Sequence, residues 1–340
     1  MSNDRILVLG PSWVGDMVLA QSLFKQLKHI RPNCSIDVAA PAWTLPLLTR
    51  MSEVDQAIAL PFQHKQFAFW QRVKVGRSLK STGYTQAIIL TNSFKSAILP
   101  WAAGIKRRTS FLGEMRYGLI NDIRSLDKKL LPRTVDRFVA LGLSPDESLP
   151  DNIPEPALIA NKLNGEATLD KLGIETLPGN ILGLCPGAEY GEAKRWPAEH
   201  YAQVANDALV KGWQVWLFGS EKDIPVTSLI NKLTKNQCID FGGRTKLGEA
   251  IDLMARCKAV VSNDSGLMHV AAALGKPLAA IYGSSDPHHT PPMSNAAEVF
   301  YQGLACSPCF KRECPLKQPN DHLACLKNIA PADVIQRLKI

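Results

Sequence analysis

An acid, a serine, a glycine and a histidine follow a short apolar run in the carboxyl-terminal half of the chain. Residues 259–261 predict a buried strand, and Asp264, Ser265 and Gly266 predict a turn into a helix that carries His269. We expect Asp264 or Ser265 to cap this helix. Its free backbone N–H groups would face a ligand at the carboxyl end of a sheet, where anionic ligands bind in open α/β sheets. A lone helical histidine is more often structural than catalytic, but these neighbours favour a functional His269.

Two adjacent cations lie between another predicted strand and the helix after it. That strand ends near residue 185, Gly187 follows in the loop, and Lys194 and Arg195 come just before a helix that starts at Pro197. At this position two cations can hold a diphosphate and stabilise negative charge that grows on a leaving group. Two solvated cations on a surface loop remain the alternative.

The first predicted strand leads into a glycine-containing loop that ends in an acid. We take Ser12, Gly15 and Asp16 in this loop as candidates that face a ligand. The dinucleotide spacing G-x-G-x-x-G fails at Ser12, and no Gly-Lys-Ser/Thr of a Walker A loop follows. A carboxylate at the end of a first strand suits a general base, although Asp16 could instead only cap the following helix.

Further charged residues follow other predicted strands. Glu221 and Asp223 lie where an acid often holds ribose hydroxyls, and either could simply supply charge at a helix start. In the amino-terminal half, several side chains are candidates for gripping an acceptor that bears phosphates or carboxylates, with a basic solvated face as the alternative. These candidates are Lys95, Arg108, Arg116 and Tyr117.

Four of the eight cysteines cluster near the carboxyl terminus, as Cys306-x2-Cys309-x4-Cys314 and then Cys325. In a cytosolic protein this cluster indicates a structural metal more than disulfides, and its first pair has a usual ligand spacing. The second pair is stretched beyond the standard zinc patterns, so reduced or redox-labile thiols remain the alternative. The other cysteines lie in apolar contexts and are expected to be buried; they are Cys34, Cys185, Cys238 and Cys257.

The elements that position these residues alternate along the chain, which predicts an α/β protein with parallel strands. Strands are predicted at 5–10, 35–40, 56–60, 85–91, 107–112, 180–185, 214–218, 237–241, 259–262 and 277–282. Helices are predicted at 17–30, 93–103, 197–211, 223–235, 246–256 and 266–274. A proline-rich stretch at 143–163 interrupts the alternation and predicts a linker. We therefore expect two Rossmann-like domains, residues 1–160 and 161–340, facing one another across a cleft.

The composition is that of an ordinary globular protein. The chain has 340 residues, of which 46% are hydrophobic and 21% charged, with a formal net charge of +8. No apolar run approaches the length of a membrane span, and the start leads into a strand rather than a signal peptide, so we expect a cytosolic protein. A basic balance attracts nucleic acid, anionic lipid or a phosphorylated substrate, and the charge alone does not choose among them.

Several stretches in order along the chain carry a family resemblance. The chain resembles the ADP-heptose:lipopolysaccharide heptosyltransferases of glycosyltransferase family 9. The matching stretches are GPSWVGDM at 10–17, APAW at 40–43, NSFKSA at 92–97, GEMRYGLIND at 113–122, CPGAEYGEAKRWP at 185–197 and SNDSGLMHVAAALGKPLAAIYG at 262–283. The cysteine cluster is not shared by all members, so the resemblance gives it no part in the chemistry.

The resemblance implies a GT-B fold in which the carboxyl-terminal domain holds most of the donor. It implies inverting transfer of L-glycero-D-manno-heptose from ADP-β-heptose to the first heptose of the lipopolysaccharide inner core on Kdo2-lipid A. The matched positions make Asp16 the general base and Lys194 the lysine on the donor phosphates. The other matched positions form the diphosphate turn and its surroundings, namely Asp264, Ser265, Gly266, His269 and, less securely, Asp223. We also expect the donor to be bound by Ser12, Gly15, Gly187 and Arg195.

Such a mechanism requires no cofactor, because Lys194 and the helix amino terminus after Asp264 would neutralise the departing ADP. The positive charge fits an anionic glycolipid acceptor, so we expect a cytoplasmic enzyme that transiently visits the inner membrane surface. One alternative is a family member acting on another core acceptor, such as Kdo2-lipid A. Another is a basic nucleic-acid-binding protein, which the dispersed cations disfavour, so we expect no nucleic-acid partner.

Overall fold

Two compact units make up the computed structural model, which describes residues 4–62, 66–175 and 177–339. The division falls between Ala157 and Leu158. The side-chain amide of Gln21 accepts from the N–H of Ala157 and donates to its carbonyl, whereas the N–H of Leu158 donates to the carbonyl of Ala273. The predicted division, between residues 160 and 161, lies three residues further on. Residues 1–3 and 340, at the ends of the expected domains, lie outside the described residues.

The first unit contains one six-stranded parallel sheet with helices between its strands. Its strands are β1 (Arg5–Leu9), β2 (Ser35–Pro41), β3 (Gln56–Leu60), β4 (Gln86–Ile89), β5 (Arg107–Phe111) and β6 (Asp122–Arg124). Its helices are α1 (Val14–Ile30), α2 (Leu45–Leu48), α3 (Phe69–Ser78), α4 (Ile98–Ala102) and α5 (Thr134–Ala140).

The second unit repeats this architecture with a longer carboxyl-terminal part. Its strands are β7 (Ile181–Cys185), β8 (Gln214–Leu217), β9 (Ile239–Asp240), β10 (Ala259–Asn263), β11 (Leu278–Tyr282) and β12 (Ala297–Tyr301). Its helices are α6 (Lys162–Leu172), α7 (Ala198–Val210), α8 (Ile224–Leu233), α9 (Leu247–Met254), α10 (Gly266–Ala273), α11 (Ala324–Lys327) and α12 (Pro331–Leu338). All its strand pairs are parallel as well.

The two sheets have the same strand order. It is β3-β2-β1-β4-β5-β6 in the first unit and, in equivalent positions, β9-β8-β7-β10-β11-β12 in the second. In each sheet the chain order reverses beside the first strand, between β1 and β4 and between β7 and β10. Ligands bind at such a switch point, beyond the carboxyl ends of the strands. The loops after these four strands are therefore the places to look for a site.

Central and edge strands of the two sheets differ in how deeply they are buried. Every residue of β7 and of β10 is buried, as expected for parallel strands covered by helices on both faces. The strands that the sequence patterns did not predict, β6 and β12, are at sheet edges and are partly exposed. Edge strands have one unpaired side, so they lack the continuous apolar run that marks a buried strand.

The linker prediction for residues 143–163 is correct over most of its length, because residues 141–161, all of them described, contain no helix or strand. Helix α6 starts at Lys162, inside the predicted linker, with Asn161 as its cap: the side chain of Asn161 accepts from the N–H of Asn164. Among the helices of the described residues, none combines the length and the apolar composition that crossing a bilayer requires.

Candidate active site

At the switch point of the second sheet, a lysine and an aspartate form a partly enclosed ion pair. Lys194 Nζ lies 2.5 Å from Asp264 Oδ2, and their side chains are 17% and 5% exposed. The hydroxyl of Ser285, in the loop after β11, also donates to Asp264 Oδ2. Lys194 Nζ lies 5.0 Å from the centre of the Tyr190 ring, on the same loop. The ammonium group is thus held at the strand ends by a carboxylate and an aromatic face.

Asn263, the last residue of β10, joins the loops around this pair. Its Oδ1 accepts from the N–H of Trp196 and from the hydroxyl of Tyr201, both at 3.0 Å. Its Nδ2 donates to the carbonyl of Pro186 at 2.6 Å. Ser262 pairs with Cys185, so the ends of β10 and β7 coincide and Asn263 lies beside the loop that carries Lys194. The sequence analysis assigned no role to Asn263, although its place at a strand end was a signal.

We predict that Asn263→Ala lowers the free energy of unfolding by about 2–4 kcal/mol, because it removes three buried hydrogen bonds and leaves their partners unsatisfied. Tyr201→Phe is the matched control, since it removes only one of the bonds to Asn263, and should cost roughly 1–2 kcal/mol. Urea unfolding of both variants measures the difference. An Asn263→Ala protein as stable as Tyr201→Phe would show that Asn263 does not fix the loops.

The amino terminus of α10 faces the same strand ends. Ser265 is its N-cap residue, but its side chain makes no capping bond, and the carboxylate of Asp264 is taken up by Lys194 and Ser285. The prediction that Asp264 or Ser265 caps the helix is therefore confirmed for the position of Ser265, although neither side chain makes a capping bond. The N–H groups in the first turn of an α-helix have no partner within the helix, so they suit an anion at this position.

His269 lies on the inward face of α10 and is buried. The pKa of its imidazole is lowered to about 4, mainly because burial disfavours the charged ring; the carboxylate of Asp264 raises the pKa and the ammonium of Lys194 lowers it. Its Nδ1 has no hydrogen-bond partner among the described residues. His269 is therefore a neutral ring next to the Lys194–Asp264 pair near neutral pH.

This burial predicts a pH dependence of stability. In the unfolded chain the ring takes up a proton near pH 6.5, but in the folded protein only near pH 4, so the free energy of unfolding should fall as the pH falls through this range. The contribution of His269 to that fall is at most ~3 kcal/mol. In urea titrations at several pH values, His269→Gln should show a shallower fall than wild type. Parallel pH profiles would contradict a buried neutral ring.

The remaining donor-side candidates of the second unit also lie near the strand ends. Arg195 donates to the carbonyl of Ala188 at 3.2 Å, and its buried Nε has no partner within the described residues. Asp223 Oδ2 accepts from the N–H and hydroxyl of Ser220, so this carboxylate serves the start of the 3-10 turn Glu221–Asp223 that leads into α8; charge at a helix start was one of its two expected roles. A Cβ on Gly187 would meet the carboxyl group of Asp223, so a larger residue at this position would require that side chain to move.

In the first unit, a cavity of about 530 Å³ opens where the strands of the first sheet end. Ser12 and Lys95 line it, and so do Glu114 and the rings of Trp43 and Phe94. Trp43 Nε1 donates to the carbonyl of Ser12 at 3.1 Å, and Glu114 Oε2 accepts from the N–H of Phe94 at 2.8 Å. The cavity therefore presents aromatic faces beside two cations, Lys95 and Arg72, and one carboxylate, a lining suited to a sugar with anionic substituents.

The first-loop candidates divide around this cavity. Ser12 lines it directly, whereas Gly15 and Asp16 lie in the first turn of α1, which begins at Val14. Trp13 is the N-cap residue, so Asp16 occupies the third helical position, where a carboxylate also favours the helix dipole. Ser12 and Gly15, predicted to bind the donor, thus belong to a different unit from Lys194 and Asp264.

Arg116 does not fit the acceptor-binding prediction, because its side chain is fully buried. Its guanidinium donates to the carbonyls of Thr91 and Phe111 and to the hydroxyl of Ser110, which fastens the loop after β4 to the end of β5. Burial of this cation lowers its pKa. A sequence pattern shows that an arginine is near a strand end, but not whether its side chain points inward.

The two other acceptor candidates are placed differently. Arg108 is half-buried and donates to the carbonyls of Ile105 and Leu119, so its guanidinium braces a loop. Tyr117 is exposed. Neither is among the residues that line the cavity. Of the four acceptor candidates, Lys95 is the one that lines the cavity.

The cysteines fall into the two groups expected from their sequence contexts. Cys34, Cys185, Cys238 and Cys257 are buried, as predicted, and all eight cysteines are free thiols. The four near the carboxyl terminus lie together in the second unit. Burial, and then the nearby thiols of Cys306, Cys309 and Cys314, raise the pKa of Cys325 to about 11.

Comparison with known proteins identifies the family. Residues 72–319 match the sequence profile of glycosyltransferase family 9 (heptosyltransferase). Lipopolysaccharide heptosyltransferase 2 of Escherichia coli strain K12 is 46% identical over 304 residues, which cover 87% of each chain. Lipooligosaccharide heptosyltransferase 2 of Haemophilus influenzae is 47% identical over 306 residues, covering 87% of this chain and 88% of that protein.

The fold agrees with a solved structure of the same family. The structure of E. coli ADP-heptose lps heptosyltransferase II superposes with a TM-score of 0.85 at 41% identity, covering 98% of this chain and 97% of that one. The expected GT-B class with two Rossmann-like domains is confirmed. The match spans both units and includes the loops of the Lys194–Asp264 pair, so this chain is a glycosyltransferase and belongs to glycosyltransferase family 9, the heptosyltransferases.

Proposed function

We propose that this enzyme is a lipopolysaccharide heptosyltransferase II. It transfers L-glycero-D-manno-heptose from ADP-heptose to the first heptose of the lipopolysaccharide inner core, on heptosyl-Kdo2-lipid A. The observation that carries the proposal is the Lys194–Asp264 pair at the amino terminus of α10, in a chain that is 46% identical to the E. coli lipopolysaccharide heptosyltransferase 2. The pair and the helix terminus suit a diphosphate, and the relative indicates which sugar and acceptor are joined.

The donor half of the proposal rests on charge. Lys194 leaves part of its contact with Asp264 and binds the ADP diphosphate, and Arg195 adds a second cation from the same loop. The N–H groups of Ser265 and Gly266 supply donors at the start of α10. These groups act on charge that grows as the bond to the leaving group breaks, so they stabilise the transition state more than the ground state. The neutral ring of His269 packs beneath this turn, on the buried side of α10.

The acceptor half rests on the cavity of the first unit. Its aromatic faces suit the rings of the inner-core sugars, and Lys95 suits a carboxylate or phosphate of the acceptor. Asp16 lies in the first turn of α1, and Ser12, just before this helix, lines the cavity. We assign to Asp16 the role of general base and to the first unit the role of holding the acceptor.

The proposed reaction is a single displacement with inversion at the anomeric carbon. The Asp16 carboxylate takes the proton of the acceptor hydroxyl, the hydroxyl oxygen forms a bond to the anomeric carbon, and the bond from that carbon to the β-phosphate oxygen breaks. ADP leaves with the bonding electron pair, which Lys194 and the α10 terminus stabilise. The step needs one base and one stabilised leaving group, and it calls on no cofactor.

We also propose where the enzyme works. A chain of net charge +8 is attracted to a leaflet that carries anionic lipid and lipid A phosphates. The enzyme therefore acts from the cytoplasm and transiently contacts the inner membrane surface, where its acceptor is anchored. Nucleic acid is not a partner in this proposal, since the candidate residues are concentrated in strand-end loops rather than along a basic stripe.

Product analysis tests the proposal. The purified protein, ADP-heptose and heptosyl-Kdo2-lipid A should give a glycolipid that has gained one heptose, joined by an α-1,3 link to the first heptose. Mass spectrometry measures the gain and NMR the anomeric configuration and linkage. A β-linked product would contradict inversion, and a heptose joined to Kdo would instead identify the family member that acts on Kdo2-lipid A.

A further inference from the structure

The segment between β12 and α11 has little of its own to hold it in place. Residues 302–323, all of which the structure describes, contain no helix or strand. Within them only Cys314 and Leu323 are buried. Loops this long without secondary structure are uncommon in compact domains, and so little burial does not offset the entropy of ordering them. A bound ion or a cross-link would help to keep such a segment in one conformation.

Four cysteines, three in this segment and one just after it, line the same small cavity. Cys306, Cys309, Cys314 and Cys325 line a single small cavity of about 20 Å³, together with Asp321. A space of this size holds about one water molecule or one ion. The N–H of Leu323 donates to the sulfur of Cys314 at 3.4 Å, so this sulfur already accepts a hydrogen bond from the backbone. Three cysteines come from the loop and the fourth, Cys325, from α11.

We propose that these four cysteines bind one thiolate-preferring metal ion, zinc or iron, which fastens residues 302–323 to α11 and so holds them against the loop that carries Lys194. Four sulfur ligands around one ion make the tetrahedral arrangement that both metals accept. Among the described residues, no three His, Cys, Asp or Glu side chains already stand in positions to hold a metal ion. The thiols must therefore close around the ion, which is feasible because Cys306 is exposed and Cys309 is half-buried on this loop.

The fastened segment lies directly against the donor-side loop. The hydroxyl of Tyr190 donates to the carbonyl of Phe310 at 2.7 Å, and the N–H of Ala193 donates to the carbonyl of Arg312 at 3.0 Å. A Cβ on Gly191 would lie 2.4 Å from the same Arg312 oxygen, so the two backbones are in close contact. An ion that orders residues 306–314 therefore also orders the residues just before Lys194. The metal is structural and takes no part in the transfer itself.

Metal analysis of the full chain tests the site without reference to activity. Protein expressed with zinc and iron both supplied should contain about one metal ion per chain by plasma mass spectrometry. Cys314→Ser should retain less than about a tenth of it, since one lost thiolate weakens a four-ligand site strongly. Cys238→Ser is the matched control, because Cys238 is buried elsewhere and bonds to Thr234; it should keep the metal. Cys306→Ser, at an exposed position, serves if Cys314→Ser does not fold.

Two further measurements test which residues bind the ion and whether the ion orders the neighbouring loop. Cobalt added to chelator-treated protein should give the intense visible absorption of a tetrahedral thiolate site in wild type and in Cys238→Ser, and lose it in Cys306→Ser. Removing the metal should speed amide exchange at Ala193 and Phe310, whose N–H groups bond across this contact region. The proposal would be overturned if the protein contained no metal after expression with zinc and iron and also gave no cobalt absorption. Disulfides linking these cysteines in the freshly purified protein would overturn it as well.

Discussion

Asp16→Asn should lower the turnover number by about 10²–10⁴-fold, which is the usual contribution of a general base. An amide has nearly the same size as the carboxylate but cannot take the proton of the acceptor hydroxyl. Asp16 lies in the first turn of α1, directly after the loop that follows β1, where that loop reaches the acceptor cavity. Donor binding should change little, because we propose that the second unit holds the diphosphate. Steady-state kinetics and calorimetric ADP-heptose titration measure the two quantities.

Asp136→Asn is the matched control for this prediction. Asp136 is the third residue of α5, the position that Asp16 occupies in α1, and its carboxylate also serves the start of its helix. If both residues only stabilise helix starts, each asparagine should cost about 0.5–2 kcal/mol of stability and leave turnover unchanged. Turnover retained by Asp16→Asn would rule Asp16 out as the base.

Lys194→Ala should lower kcat/KM for ADP-heptose by about 10²–10³-fold, as expected when one charge-stabilising group is removed from a leaving group. The same substitution leaves the carboxylate of Asp264, only 5% exposed, without its cation. Breaking a buried pair in this way costs about 3–5 kcal/mol of stability. The loss of activity must therefore be separated from the loss of stability.

The double variant Lys194→Ala/Asp264→Asn separates them. It removes the unpaired charge, so it should recover most of the stability in urea unfolding while donor use stays low. Lys222→Ala is the surface control: it removes an exposed cation, paired with Glu189 on the Lys194 loop, and should change neither quantity much. Recovery of full donor use in the double variant would mean that Lys194 only neutralises Asp264 and does not bind phosphate.

Strand and helix order was predictable because it depends on local patterns. The buried strands β1, β2, β7, β8, β10 and β11 show as apolar runs, and their starts and ends were predicted within about one residue. Edge strand β12 and the polar helices α3 and α6 were missed. Helix α6 is mostly polar, and its amino-terminal turn falls in a stretch that prolines mark as a linker. Such elements form because of the tertiary structure around them, which a local pattern does not contain.

Part of the candidate site was also predictable, because it depends on where predicted strands end. Parallel strands bring their ends together, so Lys194 and Asp264 could be expected at one edge without knowing the contact between them. The direction of a side chain could not be expected, and Arg116 is the clearest example, since it points into the core instead of the cavity. Asn263 was missed because its role depends on three hydrogen bonds to residues at sequence separations of 62 to 77.

Release of ADP from ADP-heptose in the presence of paired acceptors tests the central claim most directly. The two acceptors differ by one sugar: heptosyl-Kdo2-lipid A and Kdo2-lipid A. We expect ADP release with the first acceptor, at a rate that Asp16→Asn lowers by about 10²–10⁴-fold, and only background release with the second. Equal or faster release with Kdo2-lipid A, or no release with either, would contradict the proposed function.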